Sequence, residues 1–187
     1  MCTPFGHSLL GYSMASGYSF WSIGQRWVVY GLILFLSNLP DVDFLFGYFT
    51  GNPNRYHHGW THSLMFAVIV GVVFGVASSS FTRHNGIRAG IVAFILVLSH
   101  ILLDFFTKDT RPPFGMPLFW PASKAYFISH ATPFLDVTKA STNGEFLSSL
   151  FCVHNLRTVL SELAIFVPLT AGIFIYRRRK ERRHRTA

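Results

Sequence analysis

Apolar residues fall into five runs along this chain, broken by short polar stretches. Residues 64–81 (LMFAVIVGVVFGVASSSF) contain no charged residue and are about long enough to cross a hydrocarbon core of ~30 Å as a helix. Residues 87–107 (IRAGIVAFILVLSHILLDFFT) are long enough too, but Ser99, His100 and Asp104 interrupt their second half. Residues 158–176 are apolar apart from Glu162, with Pro168 permitting a kink. Residues 27–49 open as WVVYGLILFL and break at SNLPDVDF before more aromatics follow. Residues 5–21 form a weaker, Gly- and Ser-rich run containing His7. Between residues 108 and 157 the prolines at 112, 113, 117, 121 and 133 exclude a long helix and predict a cap with short helices. The pattern predicts an all-α, multi-pass membrane bundle of four to five membrane segments with an irregular outer cap. It forms one domain over residues 1–176, followed by a basic tail over 177–187.

Composition agrees with the pattern. Half of the residues are hydrophobic and 13% are charged, against about 25% in soluble domains. Mean hydropathy is +0.37. Net charge is +8, but RRRKERRHR at 177–185 supplies seven Lys/Arg and one acid, and the rest is nearly balanced. A basic run that follows an apolar segment suits anionic headgroups on a leaflet. It lacks the interleaved aromatics and folded platform of a nucleic-acid site, so no nucleic-acid partner is expected. Cys2 and Cys152 have no metal-like spacing, which excludes a thiolate zinc site. The N-terminus lacks the basic and small-residue features of a cleaved signal peptide and is read as retained.

The positive-inside rule orients the segments. Arg26, the TRHNGIR stretch at 82–88 and the tail all become cytoplasmic if five segments alternate from an outer N-terminus. Residues 41–63 and 108–157 then lie outside. If the first segment instead lies in the interface, four spans remain and the outer face is unchanged.

Placed on this topology, His7, Asp41, Asp43, His57, His62, His100 and Asp104 all fall at the outer ends of their segments. Carboxylates beside a bilayer are expensive unless they serve something. His100 and Asp104 are four apart and share a helix face, while Asp41 and Asp43 flank one residue just after Pro40. Imidazole and carboxylate together suit Zn, with Mn or Fe as alternatives. Six or seven such ligands exceed the three or four of a single zinc, so one or two divalent ions are expected. Taken singly, each residue also reads as a buried core His or a helix cap. His58 is open between replacing His57 as a ligand and contacting a substrate anion. Glu162, in the same layer, is a candidate catalytic base, a further ligand or a partner for Arg157. Thr61, Ser63 and Ser99 are candidates to orient the ligands through hydrogen bonds.

The stretches TPFGHSLLGY, LPDVDF, HHGWTHSL, LSHILLDFFT and LFWPAS occur in this order. In form and order they resemble the bacterial inner-membrane metal-dependent hydrolase family, often described as LexA-regulated or LexA-binding. The resemblance covers residues 3 to about 126 and carries Asp41, Asp43, His57, His62, His100, Asp104, Thr107 and Trp120–Pro121 onto the family pattern. His58 stands where that pattern has Arg. The resemblance implies an all-helical fold distantly similar to zinc-dependent phospholipase C, a hydrolytic activity, and LexA as a partner by family naming alone.

The expected function is a membrane-bound hydrolase of an ester or phosphoester at the outer face of the cytoplasmic membrane. A metal-activated water would attack a substrate most simply linked to a lipid. A metal or proton transporter, or a non-catalytic membrane protein, is the competing expectation. A transport path would need polar residues in the inner halves of 64–81 and 87–98, where almost none occur.

Overall fold

A computed structural model describes residues 1–15, 26–81 and 86–186. Seven α-helices follow one another in it: α1 (Pro4–Ala15), α2 (Arg26–Ser37), α3 (Asp43–Phe49), α4 (Leu64–Phe81), α5 (Gly86–Phe105), α6 (Asn143–Ser149) and α7 (Val153–Thr186). Short 3-10 turns at Leu39–Val42, Pro53–Tyr56 and Trp60–His62 link α2 to α4. No strand forms among the described residues, and isolated bridges pair Thr107 with Phe134 and Met116 with Phe127 in the cap. The chain is an all-helical membrane protein.

By length and composition, α5 and α7 can each cross a membrane. α2 joins the Leu39–Phe49 stretch as a third span if their 67° bend is counted within one segment. The apolar part of α4, Leu64–Ser80, is shorter. These are fewer than the four to five segments expected. The weak first run, 5–21, appears as a helix of 12 residues ending at Ala15, and its remainder lies outside the described residues. The connection at 82–85, with Arg83, lies outside them as well. Valines 72, 73 and 76 on α4 are each at least 60% exposed, as lipid-facing residues would be.

The α4–α5 hairpin is the closest helix pair, and its sequence explains why. Gly71 and Gly75 on α4 meet Gly86 and Gly90 on α5. A Cβ on Gly90 would stand 2.7 Å from the Gly71 carbonyl oxygen. Small residues at four-residue spacing let two backbones approach in lipid, where burial of apolar surface gives no advantage. Around the hairpin, Leu36 of α2 and Ala93 and Leu96 of α5 bury one cluster, and Phe66, Val97, Ile101 and Met116 bury another. α7 closes the far side of α1, where the Ser13 and Thr170 hydroxyls lie 2.7 Å apart.

The break after α2 is local chemistry. Pro40 sits in the 3-10 turn, and the Asp41 amide bonds to the Asn38 carbonyl rather than to that of Ser37. The Ser37 carbonyl at the helix end is thereby left for another donor. α4 starts where the Ser63 hydroxyl accepts from the Phe66 amide at 3.1 Å, a serine N-cap. These two irregular junctions, with the C-terminal half of α5, meet at one end of the hairpin.

Candidate metal centre

Four side chains converge there. Asp41 comes from the turn after α2, His62 from the turn before α4, and His100 and Asp104 from one face of α5. Their facing atoms are Asp41 Oδ1, His62 Nε2, His100 Nε2 and Asp104 Oδ2. Asp41 Oδ1 lies 3.6 Å from both imidazole nitrogens. Asp104 Oδ2 lies 3.7 Å from His62 Nε2 and 3.4 Å from His100 Nε2. A tetrahedral ion with bonds of about 2.1 Å sets its ligand atoms about 3.4 Å apart. All four atoms are buried without a hydrogen-bond partner. Orphaned buried acceptors are costly, and four aimed at one point could hold a divalent cation.

The other nitrogen of each histidine is held. His100 Nδ1 lies 2.8 Å from the Ser37 carbonyl left free by the broken helix, so Nδ1 donates and the Nε2 lone pair faces the centre. His62 Nδ1 is 3.2 Å from Asp43 Oδ2, and the Thr61 hydroxyl donates to that same oxygen at 3.0 Å. Asp43 and Thr61 thus orient His62 in the way carboxylates back metal-binding histidines. Ser63 and Ser99 do not share this role: Ser63 bonds to Trp60 and caps α4, and Ser99 bonds back to Leu96.

Asp43 therefore stands behind the four-atom set. It also contributes to a second group with Asp41 and His57, in which His57 Nδ1 lies 3.2 Å from Asp43 Oδ1 and 3.8 Å from Asp41 Oδ1. Asp41 is common to both groups, an arrangement suited to a bridging carboxylate. Burial, then the nearby Lys139 charge, hold the His57 imidazole well below 6.5, so it is a neutral donor. Burial alone would lower His62 too, but Asp43 and Asp41 leave it raised.

His7 stacks on His100 with ring centroids 3.7 Å apart and approaches the other oxygen of Asp104 at 3.4 Å. It lies beside the four-atom set rather than in it. Glu162 is fully buried and separate from the cluster: its carboxylate accepts from the Thr3 amide at 2.8 Å and from the Thr3 hydroxyl. Those contacts fasten the start of α1 to α7, and among the described residues Glu162 makes no ion pair with Arg157.

His58 joins the cluster in a way its sequence position did not disclose. Its φ of 57° turns the ring so that Nε2 lies 3.7 Å from Asp104 Oδ2 and Nδ1 lies 3.3 Å from Asp109 Oδ2. With His57 and His62 it forms a third group of potential ligands. Burial would raise the Asp109 carboxyl, but the His58 hydrogen bond and charge bring it below its ordinary value. Asp109 and Lys139 were not singled out in the sequence. Asp109 follows the S-H-x3-D-x2-T stretch by two residues, which is the one signal pointing to it, and Lys139 lies in patternless cap sequence.

A family model described as YdjM inner membrane protein matches residues 1–180. The chain is also similar to inner membrane protein YbcI of Escherichia coli (strain K12), at 30% identity over 185 residues, covering 96% of this chain and 100% of that protein. No solved structure matches. Both matches agree with the apolar helices in assigning the chain to a bacterial inner membrane. With nearly its whole length matched, the chain belongs to the YdjM inner membrane protein family.

Proposed function

We propose that the chain is a membrane-bound, metal-dependent hydrolase of ester or phosphoester bonds. One observation carries this reading: four buried, unpartnered donor atoms from three separate elements converge at the edge lengths of a tetrahedral ion. A set of two imidazoles and two carboxylates suits zinc, with manganese or iron as alternatives. The resemblance of the five motifs to metal-dependent hydrolases supports the same class.

Asp41, His62, His100 and Asp104 hold the ion, and the Asp41–Asp43–His57 group offers a place for a second. A bound divalent ion supplies Lewis acidity and brings the pKa of a water toward neutrality. The protein's own part is to orient and to exclude. The Ser37 carbonyl and the Asp43–Thr61 pair fix both ligating histidines, and α5 shields the centre from the apolar side. His58, suspended between Asp104 and Asp109, is placed to take a proton at Nε2 while Asp109 steadies Nδ1. The positive-inside rule supports a centre at the outer face of the membrane, with the α7 tail in the cytoplasm and its basic residues against anionic headgroups. A centre at that depth suits a lipid-linked substrate.

The competing transporter reading has less support. Beyond the centre, the α4–α5 interface is mainly a contact of glycines and apolar side chains, and among the described residues no chain of polar groups runs along it.

Elemental analysis of the purified protein tests the proposal. The expected result is one or two equivalents of zinc, manganese or iron, lost in the His62→Ala, Asp104→Ala double variant. Chelator-sensitive release of product from ester or phosphoester substrates should accompany it. A wild type that binds no metal would sink the reading, and bound metal without hydrolysis of any such substrate would favour transport.

A further inference from the structure

A cavity of about 390 Å³ opens beside the metal cluster, sharing His57 and His58 with it. Its other walls carry Arg55, Arg111, Lys139 and Asn54. The size falls in the range of ordinary small-ligand sites, roughly 300–1,000 Å³.

Lys139 is the unusual member. It is 5% exposed, and its ammonium lies 2.8 Å from the Met1 sulfur and 4.9 Å from the centre of the Phe44 ring. Among the described residues no carboxylate lies within ion-pairing distance of it. A buried ammonium without an anionic partner is costly, and this one borders an open cavity. Phe44 in turn stacks on His57, at 4.1 Å between centroids, so the lysine packs against the cluster through the Phe44 ring. Arg111 is half-buried and fixed in place, one nitrogen donating to the Lys139 carbonyl and another lying 3.3 Å from the Ser141 hydroxyl. Its remaining N–H groups are held in a preset orientation, which favours oxyanion recognition.

The two acids in the same wall, Asp109 and Asp136, are outnumbered by Arg55, Arg111 and Lys139, and each is turned to donors of its own. Asp109 accepts from the Gly115 amide at 2.8 Å and the Arg111 amide at 3.2 Å, besides facing His58. Asp136 accepts from the Val137 amide at 2.8 Å and from the Thr110 hydroxyl.

We infer that this cavity is an oxyanion subsite for a phosphate group, making the substrate a phosphoester rather than an uncharged carboxylic ester. The inference rests on the hydrolase reading for the reaction, though the subsite itself stands on Lys139 and Arg111. Two separated cations match a group that bears one or two negative charges spread over several oxygens. An uncharged acyl ester would leave Lys139 without a counter-charge. The phosphate can arrive on a lipid headgroup or on a water-soluble ester, and the recognising chemistry is common to both.

The test titrates inorganic phosphate into zinc-loaded protein in phosphatidylcholine nanodiscs, following heat release, with zinc content and melting measured on every sample. Lys139→Met and Arg111→Met should each weaken phosphate binding about tenfold or more, the scale of a charge-assisted hydrogen bond. Lys124→Met, an exposed charge elsewhere in the cap, should leave it unchanged. Phosphate affinity that stays at the wild-type value in both cavity variants, with zinc content and melting intact, overturns the subsite. If the wild type holds no zinc, the metal reading fails; phosphate binding that still depends on Lys139 and Arg111 then upholds the subsite alone. A second arm adds phosphatidic acid to the discs. Competition with inorganic phosphate identifies a lipid-borne group, and its absence identifies a soluble one; both outcomes support the subsite where the variants abolish binding.

Discussion

His62 and His100 reach the same centre by different supports. His100 relies on a main-chain carbonyl, which no substitution at Ser37 removes. His62 relies on the Asp43 carboxylate and the Thr61 hydroxyl, both of which can be deleted singly. Loss of such an orienting group typically weakens a metal by about 10–100-fold without removing a ligand. Asp43→Asn should therefore retain zinc with affinity lowered by that amount, measured by competition with a chromophoric chelator. His62→Ala should lose measurable binding. Equal and complete loss in both variants would place Asp43 among the direct ligands of the ion held by Asp41, His62, His100 and Asp104. At this scale the sequence was informative where regular spacing exists: the four-residue interval from His100 to Asp104 announced a shared helical face. It could not separate Asp41 from Asp43, since two acids two apart at a turn have no periodicity to sort them. His58 was illegible for a related reason. Its partnership with Asp104 and Asp109 depends on a positive φ that a histidine rarely adopts and no neighbouring residue signals.

The elements were predicted more fully than the residues, because apolar runs dominate this chain. The runs 64–81 and 87–107 became α4 and α5 nearly as read, and the SNLPDVDF interruption became the 67° bend. The run 158–176 lengthened at its start to Val153, taking in residues assigned to the cap. Unpredicted was the means by which α4 and α5 hold together. Gly86 and Gly90 drew no expectation from the sequence, yet each permits a backbone contact across the hairpin. Gly90→Leu must push α4 away from α5, since even a Cβ at that position would stand 2.7 Å from the Gly71 carbonyl oxygen. Overpacking of this kind costs about 1–3 kcal/mol, and here it would also move His62 relative to His100. Thermal melting in detergent should show a clear destabilisation, with reduced zinc affinity in the same sample. Gly172→Ala on α7 is the matched control, because nothing lies within 4 Å of its added Cβ. A melting point for Gly90→Leu as high as that control would mean the two helices can part without consequence.

At the scale of the molecule, the His and Asp residues gather at one end of the α4–α5 hairpin and the glycine contact occupies the other. α7 reinforces this polarity. Its 34 residues run about 51 Å, well beyond a ~30 Å hydrocarbon core, so at least one end must project from it. The projecting C-terminal turns are basic, and Arg178 lies over the Phe174 ring at 4.3 Å, as a charge lying back along an apolar stem would. On the proposed topology the His/Asp cluster and these basic turns lie on opposite membrane faces. The positive-inside rule then assigns the cluster to the outside. A membrane-impermeant maleimide can decide the assignment in a Cys152→Ser background, which leaves only the buried Cys2. Leu147→Cys, on the exposed surface of α6, should label in intact spheroplasts, and Lys180→Cys only after permeabilisation. The reverse pattern would put the metal centre and its phosphate cavity in the cytoplasm, where soluble phosphoesters are abundant, and would remove the reason for preferring a lipid-linked substrate at the outer leaflet. Labelling of both positions from outside would break the opposite-face argument itself, by requiring that α7 not cross the bilayer.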